Sequence, residues 1–242
     1  MKEGSEMIPQ KREEHLKKLT HTLNIQLDDM ESLSVALTHP SFILGDNASL
    51  INNQRLEFLG DAVVDLVVGQ YLYNEFPDKP EGELTKMRAA LVCESALASA
   101  ARRVSLGEYL LIGKGERGSG GYDRPSNLAD AWEAMVGAIY LQLGIDAVRP
   151  IILEYISPEI AQVRKGHYGD YKTILQEIVQ QDREATIQYE IVRTEGPDHD
   201  KKFTACVRVN GVVQAEGTGR TKKEAEQIAA CQTLIQMGAI EQ

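Results

Sequence analysis

Long apolar runs are missing from this sequence. None of its 242 residues lies in an uncharged stretch of the roughly 20 residues that a membrane-spanning helix requires. The opening MKEGSEMIPQKREEH holds no apolar core of the kind a secretory signal carries. The two absences exclude a membrane protein and lead us to expect an unexported, cytoplasmic one. Cysteine is scarce as well. Cys93, Cys206 and Cys231 stand far apart, with no CxxC or Cys/His spacing, which excludes a disulfide framework and a zinc site. All three are expected to be small buried apolar residues in a reducing compartment. Positive charge is in deficit: 26 Lys and Arg face 36 Asp and Glu, a net charge of -10. The deficit holds in both halves, with nine basic and twelve acidic residues from position 168 onward. A broadly basic surface is therefore excluded, and any contact with a polyanion must come from local clusters.

What is present reads as two domains. The first two-thirds is helical: Leu16, Leu19 and Leu23 fall at i, i+3, i+7, and the segments 55–73, 82–101 and 127–143 are rich in Ala, Leu and Val at helical spacing. Between the last two segments lies IGKGERGSGGYDRPS, expected to be a mobile surface loop whose Lys114, Arg117 and Arg124 are available to phosphate. A phosphate-cradling P-loop is excluded there, because no glycine stands five positions before Gly113 and Gly115 replaces the required Ser or Thr. SPEIAQVRKGHYGD, poor in apolar residues and interrupted by Pro and Gly, reads as a linker. The expected division is an all-α domain over 11–156, a linker over 157–169 and a small domain over 170–239. The small domain opens with a helix from Tyr171 to Gln180 and continues with alternating strands in TIQYEIVRT and KFTACVRVNG. Asn210-Gly211 fits a tight hairpin turn leading into a third strand, and Thr221-Lys-Lys-Glu224 is a capping box that opens a last helix. The fold class is thus all-α followed by α+β, the second part in the order α-β-β-β-α.

Acids stand where a buried helix should have none. RLEFLGDAVVDLVVGQYLY is apolar nearly all round yet carries Glu57, Asp61 and Asp65 at i, i+4, i+8, a single stripe. NLADAWEAMVGAIYLQLG is more apolar still and presents Asp130 and Glu133 at i, i+3. Burying an unpaired carboxylate costs several kcal/mol, roughly, and neighbouring like charges add to that. Arg55 is the one basic residue on either helix, and the flanking Leu, Val, Ala, Trp and Met argue against an ordinary solvated face. Asp65, farthest along the stripe, reads as a surface residue. Carboxylate oxygens without His or Cys select Mg²⁺ or Mn²⁺, and a di-iron bundle lacks its Glu-x-x-His pairs. Such ions activate water and neutralise charge at an attacked phosphorus, which points to phosphodiester hydrolysis.

At these residues the chain resembles the ribonuclease III family. NNQRLEFLGDAVVDL from Asn52 to Leu66 is similar to the family's catalytic helix, and ALTHPSF, EGELTKMRA and LADAWEAMVGA resemble three further blocks, in the family's order. The C-terminal segment resembles a double-stranded-RNA-binding domain. The resemblance implies that Glu57, Asp61, Asp130 and Glu133 bind the metal, with Asp61 and Glu133 catalytic. It also implies a homodimer that cuts both strands of duplex RNA during ribosomal, messenger or small RNA processing, leaving short 3′ overhangs and 5′ phosphates. Gln54 departs from the family, which commonly has Glu there; the amide keeps size and hydrogen bonding, so altered rather than abolished activity is expected. Glu81 matches an accessory acid near the family's dimer contact, and it equally suits the N-terminus of a helix.

Duplex RNA is read through the wide minor groove and its 2′-hydroxyls, with cations on the flanking phosphates. Thr173, Gln176, Glu177 and Gln180 supply a polar stripe on the first helix of the small domain, and Gly196 to His199, including Pro197, resembles the family's minor-groove loop. Lys222 and Lys223 open the last helix, where free N–H groups already favour an anion, and Lys201, Lys202 and Arg220 extend the patch. An RNA-binding or ribosome-associated structural protein without cleavage is the alternative, set against the presence of all four acids.

Overall fold

The structure, a computed structural model, describes residues 8–42, 52–168, 170–182, 184–196 and 201–240. Two compact units divide between Ile160 and Ala161. In the first, nine α-helices follow one another among the described residues: α1 (Gln10–Thr22), α2 (Met30–Ala36), α3 (Gln54–Glu75), α4 (Glu81–Leu91), α5 (Glu94–Arg103), α6 (Lys114–Gly118), α7 (Pro125–Leu143), α8 (Ile145–Tyr155) and α9 (Ser157–Arg164), the last running across the division. Helix α7 is the centre. Its sequence is Ala-rich and unbranched near the start, Pro125 sits in the first turn where its missing N–H costs nothing, and Gly144 at φ 77° ends it. Leu128, Trp132, Met135, Val136 and Ile139 are buried, and α2, α3, α5 and α8 pack around them. Asp29 caps α2 by accepting from the N–H groups of Glu31 and Ser32, and Leu16 and Leu19 of α1 are fully buried as their spacing requires.

Two expectations are corrected. The segment 82–101 is two helices, not one, because the chain turns at Val92 and Cys93. The Cys93 carbonyl accepts from Ala96 and Leu97, restarting the helix in a direction that buries Ala96, Leu97, Ala100 and Ala101. Cys93 itself is exposed and Cys231 only partly buried, so of the three thiols Cys206 alone is a core residue. Residues 157–164, inside the stretch assigned to a linker, are helical.

The second unit runs α10 (Tyr171–Val179), β1 (Ile187–Glu195), β2 (Lys202–Val209), β3 (Val212–Gly219) and α11 (Lys222–Gln236), the order α-β-β-β-α. The strands are antiparallel in the order β1-β2-β3. Asn210 at φ 52° and Gly211 at φ 79° close the β2-β3 hairpin between the paired Val209 and Val212, which fits a type I′ turn. At α11 the Glu224 N–H donates to Oγ1 of the cap residue Thr221 at 3.1 Å, and Glu224 Oε2 reaches back to accept from the Arg220 N–H at 2.7 Å, one residue before the cap. Leu175 and Val179 of α10, Val207 of β2 and Ala229, Ala230 and Leu234 of α11 form one core. Among the described residues no helix is long and apolar enough to cross a membrane.

Candidate metal centre and RNA-binding face

Two glycines set the geometry of the acids. A Cβ on Gly60 of α3 would fall 1.7 Å from the Glu133 carbonyl oxygen, and one on Gly137 of α7 would fall 2.4 Å from the carbonyl oxygen of Leu56. The two helices therefore cross backbone against backbone, closer than any side chain allows. Glu57 lies one turn before Gly60, Glu133 one turn before Gly137, and Asp130 a further turn back. One carboxylate oxygen from each of Glu57, Asp130 and Glu133 lies within 4.8 Å of the others, and all three side chains are half-buried. Asp61 is exposed and outside this set, but its charge acts on both Glu57 and Glu133.

Among the described residues, none of the four is ion-paired to Lys or Arg. Burial, then the charges of Asp61, Glu57 and Asp130, push the Glu133 carboxyl up to about 8. Burial also raises Glu57, with Asp130 and Asp61 adding to it. Asp130 is raised by burial, with His39 acting in the opposite sense and Glu94 adding slightly. A set of hard oxygen donors drawn together without a compensating cation is the environment that fits a small divalent metal ion. Asp65 is half-exposed, its Oδ1 3.8 Å from Arg88 Nε, outside the cluster; its charge still reaches Glu133. Gln54 is exposed in the first turn of α3, and Glu81 is exposed at the start of α4, where its Oε1 accepts from Thr85 Oγ1 at 2.8 Å.

Sequence reasoning quoted the ALTHPSF block without giving His39 a task. His39 Nδ1 accepts from the Ser41 N–H at 3.1 Å and lies 2.7 Å from Ser41 Oγ, which accepts from the Gly113 N–H at 3.0 Å. The available signal was a histidine followed two residues later by a hydroxyl. The glycine-rich loop is also more ordered than expected: Lys114–Gly118 is helical, and Glu116 Oε1 accepts from Asn127 Nδ2 at 2.9 Å and from Arg124 Nη1. The Asn127 bond, followed by Arg124 and a smaller contribution from His39, holds the Glu116 carboxyl below its usual range. The pinning rests on polar contacts between residues 8 and 11 apart, which composition does not reveal.

In the second unit Thr173, Gln176, Glu177 and Gln180 are exposed along one side of α10, while Leu175 and Val179 face the core. Lys222 and Lys223 are exposed at the start of α11, as is Arg220 just before it, and Lys201 and Lys202 are exposed where β2 begins, beside the Phe203–Gly219 pair that ends β3. Pro197 and His199 lie outside the described residues.

A family model described as ribonuclease-III-like matches residues 29–160, more than half of the chain. The chain belongs to the ribonuclease III family. A second model, the double-stranded RNA binding motif, matches residues 171–237. The chain is 51% identical over 219 residues to ribonuclease 3 of Pelotomaculum thermopropionicum, covering 90% of this chain and 91% of that one. It is 51% identical to ribonuclease 3 of Heliobacterium modesticaldum, with 89% and 92% covered. Among solved structures it is similar to the nuclease domain of Campylobacter jejuni ribonuclease III, with a TM-score of 0.56, 44% identity, and 60% of this chain and 97% of that one covered. The chain thus carries its acidic cluster within the ribonuclease-III-like segment, and the helix that opens with Lys222 and Lys223 within the RNA-binding motif.

Proposed function

We propose that Glu57, Asp61, Asp130 and Glu133 form the metal-dependent catalytic centre of this endoribonuclease for double-stranded RNA, with Mg²⁺ as the ion and Mn²⁺ able to replace it. The observation that carries the assignment is the convergence of three half-buried carboxylates within 4.8 Å, with no Lys or Arg ion-paired to them among the described residues. When bound, the ion supplies positive charge for activating water and for stabilising the attacked phosphate. The chain's residues do the rest. Glu133 and Asp130 project from a helix whose packing fixes them, Glu57 meets them across the glycine crossing, and the exposed Asp61 faces incoming substrate and solvent. His39, held by Ser41, places an imidazole near Asp130.

The second unit holds the duplex: the α10 stripe of Thr173, Gln176 and Glu177 addresses the minor groove, together with the loop that carries Pro197 and His199. Lys222 and Lys223 take a phosphate at the start of α11.

The nuclease unit acts as a homodimer. Along α3, beside the acids, Phe58 is 80% exposed, Leu66 62% and Tyr73 73%, and Leu141 of α7 is 61% exposed. Phe58 and Leu141 border a cleft of about 700 Å³ that also includes Gln54 and Leu59. An apolar strip of this kind on a monomer marks a protein contact, and a second copy suits it because the Campylobacter jejuni nuclease domain has a region involved in dimer formation.

The test is a gel assay of one long perfect RNA duplex. Cleavage is expected with Mg²⁺ or Mn²⁺ and none in excess EDTA, and Glu133→Gln is expected to bind the duplex without cutting it. Equal cleavage in EDTA, or by the variant, overturns the assignment.

A further inference from the structure

On the first unit, α1 and the turn at 106–111 border an open groove of about 950 Å³ whose lining includes none of the four acids. Its lining runs against the charge of the chain. Lys11, Arg12, Lys18 and Arg117 border it, against two carboxylates, Glu14 and Glu108, in a protein of net charge -10. The remaining wall is apolar or aromatic, with Pro9, Leu110, Leu111 and Tyr122. The Arg117 guanidinium lies over the Tyr122 ring, 5.4 Å from its centre, and His15 stacks on Tyr109 at 4.6 Å.

Arg12 is the unusual member. Its Nη1 donates to the Tyr109 carbonyl at 2.7 Å and its Nε to Ser34 Oγ at 3.2 Å, which ties the two walls together. Both acceptors are neutral, no carboxylate among the described residues pairs with the guanidinium, and Nη2 is buried without a hydrogen-bond partner. Burial pushes this guanidinium down to about 10. A buried cation without an anion costs several kcal/mol, roughly, and is kept where something negative binds beside it.

We propose that this groove is a binding site for a nucleoside polyphosphate, its phosphates drawn to Arg12, Lys11 and Lys18 and its base set against Tyr122, Leu110 and Leu111. The size is that of a small-molecule site, roughly 300–1,000 Å³, and the apolar wall is more than a bare phosphate would use. The apolar and aromatic wall separates it from a duplex-RNA contact, where cations meet phosphates and 2′-hydroxyls without such a wall. An occupant would bridge α1 to the 110–122 segment, so backbone amides there should exchange more slowly when it is bound.

The test is calorimetry on the full chain in excess EDTA, which removes any route through metal at the acidic cluster, with ATP, tripolyphosphate, adenosine and a short RNA duplex as probes. ATP is expected to bind once per chain in the micromolar range, tripolyphosphate at least about tenfold more weakly, and adenosine not measurably. Arg12→Gln and the exposed Lys18→Gln should each weaken ATP by about tenfold, with thermal melting showing that the Lys18 variant is folded. A paired Lys222→Gln, Lys223→Gln variant should bind ATP unchanged. The proposal fails if ATP does not bind at millimolar concentration, if Lys18→Gln binds it undiminished, or if binding is lost only in the Lys222/Lys223 variant. It fails as a nucleotide site if tripolyphosphate binds as tightly as ATP, and as a small-molecule site if the duplex binds in the groove and Lys18→Gln weakens the duplex alone.

Discussion

Glu133 is the side chain whose charge is most at odds with its surroundings. Burial and four neighbouring carboxylates, those of Asp61, Glu57, Asp130 and Asp65, push its carboxyl up to about 8, against an unfolded value of 4.5. Between those two values the folded, metal-free protein holds a proton that the unfolded chain has released. Stability therefore falls as pH rises through that window and is unaffected by this group below it. Removing the charge should reverse the sign of the usual mutational effect. In excess EDTA above about pH 8, Glu133→Gln is expected to melt a few degrees higher than the natural protein, and the gap should close as pH falls toward the ordinary carboxylate range. Saturating Mg²⁺ should raise the melting temperature of the natural protein more than that of the variant, since a ligand that binds only the folded state stabilises it. Calorimetric melts at three pH values, with and without Mg²⁺, decide this; a variant less stable at every pH would show that Glu133 is a structural acid. Gln54, by contrast, is exposed and stands outside the three clustered carboxylates, so its missing charge does not disturb their balance.

Between the residue and the molecule stands the crossing of α3 and α7, because the carboxylates meet only as closely as the two backbones do. A methyl at Gly60 would collide with the Glu133 carbonyl, a backbone atom that cannot rotate away. Gly60→Ala should therefore spread the helices, lower stability by on the order of 1–3 kcal/mol, and weaken Mg²⁺ binding, while Gly69→Ala on the same helix, where nothing lies within 4 Å, should do neither. Denaturant melts and Mg²⁺ titration of both variants separate the crossing from helix propensity. The acids themselves were legible in the sequence because a carboxylate stripe on an apolar helix contradicts helix amphipathicity, and Asn210-Gly211 and Thr221 to Glu224 were legible because turn and cap chemistry is local. The glycine crossing was not, since which residues face each other across two helices depends on tertiary packing. The same holds for the break at Val92 and Cys93, where helical spacing continues through 82–101 but the burial of Leu97 and Ala101 requires a new direction. His39 and Glu116 act through partners far along the chain, Gly113 by way of Ser41 for the first and Asn127 for the second.

At the scale of the whole molecule, a net charge of -10 must be reconciled with a polyanionic substrate. The acidic cluster repels a duplex until a cation fills it, so affinity in the absence of metal rests on few positive positions, those of the second unit among them. The apolar strip on α3 adds a second requirement. Phe58→Glu places a charge in the proposed dimer face and should weaken self-association roughly 100-fold or more, since a buried Phe contributes about 1.5–3 kcal/mol and each dimer contains two. Sedimentation at micromolar concentration should then show monomers, and unchanged dimers would place the contact elsewhere. Deleting residues 168–242 removes nine of the 26 basic residues together with both helices proposed to touch RNA. The first unit keeps its own core around α7, so the truncated chain should fold, and its acids should still cut where RNA can reach them. Because phosphate contacts released with the second unit lower the number of displaced counterions, duplex affinity at physiological salt should drop strongly. The slope of log affinity against log salt should become shallower by about 0.9 per lost contact, taking the value for B-form duplexes as a guide. Cleavage by the truncated protein should persist at low salt and vanish as salt is raised, over a range in which the full chain remains active. A truncated protein with undiminished affinity and an unchanged salt slope would mean that the nuclease unit grips the duplex by itself, and that Lys222, Lys223 and the α10 stripe serve something else.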